Sequence, residues 1–168
     1  MPYTPYTWQI GVGGATPIDK TNLDHLETQY DAAITIVRKT ADQIVNNSNV
    51  VENDDDLFFA IGANETWVVK FYLDSSTSVG ADIRFDITAP ALATIKTKIG
   101  YGFSTTLTAS VLITAGVMNA GGGVINFSVV VINGANAGNI QLQWAQTTAE
   151  VSDTKVLEDS YIVAHQLV

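Results

Sequence analysis

The sequence contains no cysteine and little positive charge: eight Lys and Arg residues stand against 17 Asp and Glu residues in a chain of 168. Without cysteine there is no disulfide, no thiolate metal site and no cysteine nucleophile. A formal net charge of −9, with no cluster of Lys and Arg, argues against nucleic-acid binding, which requires a basic face. The apolar runs are far shorter than the ~20 residues of a membrane-spanning helix, so no membrane insertion is expected.

Charged side chains of either sign are also scarce. They make up 15% of the residues, whereas soluble domains have roughly 25%. Apolar residues amount to 46%, which is enough for a hydrophobic core, and the length suits a single domain. The scarcity of charge favours a protein whose surface is partly covered by a partner.

Proline is almost confined to the first part of the chain, where Pro2, Pro5 and Pro17 disfavour a helix. Residues 1–18 are therefore predicted to form an extended arm. Its aromatic side chains, including Trp8, cannot build a core of their own, so they are expected to pack on the rest of the chain, on a neighbouring copy or on another protein. The first residues have neither the basic nor the apolar region of a secretory signal, so no such signal is expected.

Residues 19–36 have the helical pattern of this sequence, with Asp19 as a suitable N-cap after Pro17. A heptad-like series with alternating spacings of three and four follows, typical of a seam between helices; its members are Leu23, Leu26, Tyr30, Ala33 and Val37. Two interpretations stay open: an amphipathic helix lying on its own domain, and a helix that self-associates in a symmetric oligomer. About two and a half heptads cannot hold a coiled coil alone, so a β domain would supply most of the assembly energy.

Residues 37–168 are predicted to form an antiparallel β-sandwich or jelly roll. Short strands recur at roughly 8–12-residue spacing and are separated by segments rich in Gly, Asn, Asp and Ser, which are typical of turns. Residues 67–73 are aromatic and β-branched, and residues 81–88 alternate apolar and charged side chains, as in a strand buried on one face. Trp67 and Trp144 lie in apolar strands, so both are expected in the core.

No group of residues has the spacing of a catalytic or cofactor site. His25 and His165 have no recognisable nucleophile or metal partner, and the glycine-rich residues 11–14 lack the rest of a phosphate-binding loop. We therefore predict a protein that is not an enzyme and that has no catalytic residue, no cofactor and no metal site. The acidic residues 52–56 are interpreted as a solvated turn, with a bound Ca²⁺-like cation as the alternative.

Three blocks of the sequence resemble small β-rich virion proteins of tailed bacteriophages. In the first block, a tryptophan is followed by a Gly-rich turn, a Thr-Pro pair, and an Asn-Leu pair before a glutamate. The second block combines a charged motif, an acidic motif and an Asn-Glu-Thr-Trp motif. The third contains an amide-rich segment with a tryptophan. Together the blocks touch most of the chain; they are residues 8–27, then residues 38–43, 54–57 and 63–67, and finally residues 136–146 and 159–161.

The resemblance implies a non-enzymatic structural protein of the virion, homotrimeric and anchored through its arm and helix, that decorates the capsid or forms a head fibre. The alternative is a tail fibre or a receptor- or glycan-binding module at the tail, using loops at residues 74–78, 100–104 and 133–138. The implied partners are further copies of the chain, major capsid or tail proteins and, for the alternative, a host surface glycan. The expected location is the virion, after assembly in the host cytoplasm. The residues assigned to oligomerisation and anchoring are Trp8, Leu23, Leu26, Tyr30, Ala33 and Val37.

Overall fold

The computed structural model describes residue 24 and residues 34–98, 106–108, 110–113 and 122–167. Between residues 34 and 167, the described part of the chain forms twelve β-strands and no helix. The protein is therefore mainly β, as the sequence predicts. The strands are β1 (Ile34–Arg38), β2 (Gln43–Asn46), β3 (Glu52–Ile61), β4 (Thr66–Ser76), β5 (Ile83–Thr88), β6 (Thr94–Lys98), β7 (Thr106–Thr108), β8 (Ser110–Ile113), β9 (Gly123–Ile132), β10 (Gly138–Gln146), β11 (Asp153–Val156) and β12 (Tyr161–Leu167).

The described strands form two antiparallel sheets. Sheet A has the order β1-β12-β4-β9-β6-β7, and β11 joins it by pairing with both β4 and β2. Sheet B has the order β3-β10-β5-β8. The ladder between β4 and β9 runs from the pair Thr66↔Ile132 to the pair Ser75↔Gly123. Strands that are distant in sequence are thus neighbours in both sheets, and the chain cannot be divided into separate local hairpins.

Alternation along the strands turns one face of each sheet toward a shared hydrophobic core. In β4 every second side chain from Trp67 onward is buried. Aromatic contacts join the sheets: the ring centroids of Phe59 and Trp67 are 5.4 Å apart, and those of Phe85 and Phe127 are 6.1 Å apart. Two sheets that share one core have the layered arrangement of a sandwich. Burying each large apolar side chain contributes about 1.5–3 kcal/mol relative to exposure, so this core is a major source of stability.

The β region begins earlier than the sequence predicts. Residues 34–36, at the end of the predicted helix, belong to β1. Val37, the last member of the predicted heptad seam, pairs with Ile162 of β12. Residues 34–37 are all β-branched, which disfavours a helix and suits a pleated, half-buried strand. The predicted helix therefore does not extend to residue 36, and Val37 is not part of a helical seam.

The predicted arm (residues 1–18) and most of the predicted helix (residues 19–36) lie outside the described residues. Within that stretch, the structure describes Asp24, whose side chain is exposed. In the described part of the chain, no helix is long and apolar enough to span a membrane. The anchoring arm and the helix before residue 34 thus stay predictions.

Candidate functional site

The outer face of sheet A, which points away from the core, carries several neighbouring apolar side chains. It is formed by the outward-pointing residues of β1, β12, β4, β9 and β6, which the strand registers align in rows across the sheet. One row contains Ile34, His165, Val68, Val130 and Lys96, and the next contains Ile36, Val163, Lys70 and Ser128. Apolar residues therefore lie side by side on this surface, although they come from distant parts of the sequence.

Several of these apolar residues are open to solvent. Ile36 is 68% exposed, Ile34 is 55% exposed and Ile132 is 38% exposed. Tyr161 is also exposed and stacks on Tyr72, with the ring centroids 4.7 Å apart. Single exposed hydrophobic residues are ordinary on protein surfaces, whereas contiguous ones mark interaction surfaces. The outer face of sheet A is therefore the described region best suited to docking.

The same face carries positive charge in a chain that is acidic overall. Lys70 and Lys96 are exposed, and the described positions in their two rows include no carboxylate. Arg38, at the end of β1, lies instead 2.5 Å from the carboxylate of Asp159 and is neutralised there. The ammonium groups of Lys70 and Lys96 thus give an apolar surface a positive charge, which favours an acidic partner.

The outer face of sheet B, on the opposite side of the core, has a different character. The strand registers place Asn53 beside Gln143 and Phe58 beside Gln141. The side-chain amide of Gln143 donates to Asn53 Oδ1 at 2.8 Å, and that of Gln141 donates to the backbone carbonyl of Asp54 at 2.9 Å. These amides form hydrogen bonds within the sheet, so the described part of this face presents paired amides beside the exposed side chain of Phe58, whereas Nε of Arg84 on β5 has no hydrogen-bond partner.

The acidic residues 52–56 lie in β3, at an irregularity where the register with β10 shifts between Gln141 and Gln143. Asp54 turns inward there and is 1% exposed. Lys39, also 1% exposed, places its Nζ 3.0 Å from both carboxylate oxygens of Asp54. The cluster therefore contains a buried ion pair rather than only solvated carboxylates. The ammonium group of Lys39 balances the charge of the Asp54 carboxylate.

Further hydrogen bonds complete the surroundings of this ion pair. The backbone N–H groups of Asp56 and Leu57 donate to Asp54 Oδ1, and the indole N–H of Trp144 donates to Asp54 Oδ2 at 3.2 Å. Buried charges require such full pairing. In the described part of the chain, no group of three or more His, Cys, Asp or Glu residues could hold a metal ion. The role of Lys39 is not predictable from the sequence, because no motif or spacing connects it with an aspartate 15 positions later.

The residues predicted for oligomerisation and anchoring are described only in part. Val37 points inward from β1 and is half-buried against the core. The others lie outside the described residues, and their roles stay predictions: they are Trp8, Leu23, Leu26, Tyr30 and Ala33.

The histidines and tryptophans have separate positions. His165 is exposed on the outer face of sheet A, between Ile34 and Val68 in its row, and His25 lies outside the described residues. Trp67 and Trp144 are 7% and 0% exposed, which confirms the prediction that both belong to the core.

The loops considered for glycan binding differ in how much of them the structure describes. Residues 74–76 belong to β4 and are not a loop, and only residues 77–78 of that predicted loop follow the strand. Residues 100–104 lie outside the described residues. In residues 133–138, the side-chain amide of Asn133 donates to two backbone carbonyl groups, at 2.6 and 2.7 Å. This loop therefore uses a central polar group for its own structure, and that nitrogen is not directed at a ligand.

Comparisons with known proteins give little further information. No family model and no curated protein matches the chain. Among solved structures, the chain is similar to the tripod (BppUct-A-L) from the baseplate of bacteriophage Tuc2009, with 8% sequence identity and a TM-score of 0.37. That alignment covers 99% of this chain and 76% of the other. A likeness at this TM-score establishes neither a shared fold nor a shared role, so the function has to be inferred from the residues of this chain.

Proposed function

We propose that the chain is a non-enzymatic structural protein of a bacteriophage virion. It is homotrimeric, is anchored through the arm (residues 1–18) and the helix that follows it, and decorates the capsid or forms a head fibre. The β domain projects from the particle. Its partners are further copies of the chain and the major capsid or tail proteins, and it resides in the virion after assembly in the host cytoplasm.

The observation that carries this proposal is the outer face of sheet A. Adjacent exposed apolar residues, together with the ammonium groups of Lys70 and Lys96, suit a surface that binds protein. A structural protein that assembles with others needs such a surface. An enzyme would instead need converging acid, base or nucleophilic groups.

The resemblance to phage virion proteins supplies the biological setting. Its motifs include Lys39 and Asp54 from the second block and Trp144 from the third, and these residues meet in one buried hydrogen-bonded network. The resemblance therefore concerns residues that hold the β domain together. This supports a common domain in that group of proteins, and it leaves the position on the virion to experiment.

The trimer is proposed because a cyclic assembly multiplies weak contacts with a symmetric particle. Identical patches are buried on every copy in such an assembly, and simultaneous attachment through three arms raises the overall affinity. Light scattering of the purified chain at micromolar concentration tests it. A mass three times 18.0 kDa is expected, and a mass of 18.0 kDa at every concentration would contradict the trimer.

The position on the virion is tested by gold-labelled antibodies against the protein, applied to intact particles of the phage that carries the gene. Label on the head supports decoration or a head fibre. Label on the tail supports the second candidate, a tail fibre or receptor-binding module. Particles that lack both the label and the protein, as measured by mass spectrometry of purified virions, would overturn a virion role.

A further inference from the structure

We propose that the side chains of Lys39 and Asp54 condense into an intramolecular amide bond, with the loss of one water molecule. This goes beyond the proposed function, because it is a covalent modification inside one β domain and requires no virion. The buried ion pair is then the state that precedes the bond. The bond links the residue that follows β1 to β3.

The first argument is the distance between the reacting atoms. Nζ of Lys39 lies 3.0 Å from both carboxylate oxygens of Asp54. Because Cγ is bonded to both oxygens, Nζ lies roughly 3.4 Å or less from this carbon. Atoms held about 3–3.5 Å apart in a fixed geometry react as if at very high concentration. Both residues are 1% exposed, so the surrounding protein holds them in this position.

The second argument is the cost of burying two charges. Taking an ammonium group and a carboxylate out of water costs more free energy than taking a hydrogen-bonded neutral group out of water. Condensation replaces the two buried charges by one neutral amide. The same burial keeps bulk water away from the product, so the amide is protected from hydrolysis once it has formed.

The atoms and protons of the reaction balance within the pair. The ammonium group of Lys39 passes one proton to Oδ2 of Asp54, which gives a neutral amine and a carboxylic acid. The amine nitrogen then attacks Cγ, and Oδ1 takes the developing negative charge as the N–Cγ bond forms. A second proton moves from this nitrogen to Oδ2. The Cγ–Oδ2 bond breaks with its electron pair on oxygen, and water leaves.

The hydrogen-bond donors around Asp54 suit this reaction. The backbone N–H groups of Asp56 and Leu57 donate to Oδ1 at 3.0 and 2.9 Å, so two donors point at the oxygen that becomes negative. Such an arrangement stabilises the intermediate as an oxyanion hole does. The indole N–H of Trp144 donates to Oδ2 at 3.2 Å. The carboxylate is therefore held at both oxygens and cannot rotate away from the amine.

The nitrogen of the product also has a partner in place. Nζ of Lys39 donates to Oε1 of Gln43 at 3.1 Å, and this oxygen can accept the one N–H that remains in the amide. The bond joins positions 15 residues apart in a chain that has no cysteine. It therefore constrains the unfolded chain in the way that a disulfide does in other proteins.

Mass spectrometry of the full chain tests the bond. Trypsin cuts after Lys and Arg, and the next basic residue after Arg38 and Lys39 is Lys70. Without the bond, the digest yields the peptide 40–70. With the bond, the amide nitrogen of Lys39 is no longer a trypsin site, so the digest yields the peptide 39–70, lighter by one water. We expect this second peptide to replace the first when the folded protein is kept for days at neutral pH.

Three controls separate this bond from other losses of water. The wild-type chain kept in concentrated urea should retain its full mass, because the two side chains are no longer held together. The variant Lys39→Arg keeps the positive charge but has no amine to condense, and it should also retain its full mass. The variant Asp55→Ala removes an exposed carboxylate of the same cluster and should still lose one water. Circular dichroism shows whether each variant is folded.

The peptide 40–70 as the sole product from folded wild type at every time would overturn the proposal. So would a loss of water in a chain that trypsin still cuts after Lys39, because a cyclic imide at an aspartate would then be its source. Neither result bears on the position in the virion, which the gold-labelling experiment decides separately.

Discussion

The outer faces of sheets A and B belong to one β region, yet their side chains differ in how far they are paired with other groups of the protein. On sheet B, the amides of Gln141 and Gln143 bond within the sheet, and the acidic cluster turns Asp54 inward to Lys39. On sheet A, Ile36 is largely exposed and Lys70 lies in a row whose described positions include no carboxylate. The amides on the outer face of sheet B are therefore paired within the sheet, whereas Nε of Arg84 on that face has no hydrogen-bond partner. Sheet A presents apolar area and positive charge that a partner can cover.

The largest effect is expected on the sheet B side, at the buried ion pair. Asp54→Ala leaves the ammonium of Lys39 buried without its carboxylate, and it also removes the acceptor for the indole N–H of Trp144. We expect the free energy of unfolding in urea to fall by about 3–5 kcal/mol.

The matched control for this variant is Asp55→Ala, in the same cluster, because the side chain of Asp55 is exposed. Its unfolding free energy should stay within about 0.5 kcal/mol of wild type. Replacing both charges, with Lys39→Met and Asp54→Leu, should recover only part of the loss, because the indole N–H of Trp144 still lacks its acceptor. If Asp54→Ala were as stable as Asp55→Ala, the network would not hold the irregular part of β3.

A moderate effect is expected from the aromatic pair on the outer face of sheet A. Tyr161 stacks on Tyr72 from the neighbouring strand, and such pairs contribute about 0.5–1.5 kcal/mol beyond the area they bury. A double-mutant cycle with Tyr161→Ala and Tyr72→Ala, measured by urea unfolding, should give a coupling energy in this range. Tyr161→Phe is the control and should retain the coupling, whereas additive alanine variants would show that the stacking contributes nothing.

The smallest effect on stability is expected at Ile36, the most exposed described apolar residue on the outer face of sheet A. Because the side chain of Ile36 is mostly exposed and not part of the core, Ile36→Ser should change the free energy of unfolding of the β domain by no more than about 0.5 kcal/mol. A stability loss above about 1 kcal/mol would mean that Ile36 is structural, and the contrast between the two outer faces would weaken.

The strands that the sequence predicts well are those whose pattern is local. Residues 67–73 lie within β4, and the alternation at residues 81–88 corresponds to β5. At residues 34–37 the local signals conflict, because β-branched residues follow a heptad-like series. The ladder of β1 with β12 decides this conflict in favour of a strand, and no local pattern could reveal a partner more than 120 positions away, such as Ile162 for Val37.

The sequence predicts the kinds of residue in the candidate site but not their arrangement. The composition shows that the chain is acidic and has few Lys and Arg residues. It also shows the apolar residues within residues 1–33. The alignment of Ile36, Val163 and Lys70 in one row is not, since these residues come from three distant strands. Likewise, the pairing of Lys39 with Asp54 depends on how β3 is held against β10.

The amino-acid sequence alone already specified a mainly β protein with buried tryptophans, because alternation of apolar and polar side chains is a property of neighbouring residues. Tertiary structure decided the order of the strands. It thereby also decided the contrast between the outer face with paired amides and the open apolar face. The physical reason is that long-range strand pairing is selected by the burial of the whole core. Because burial of the core selects which strands pair, residues on the outer faces become neighbours even when they are far apart in the sequence.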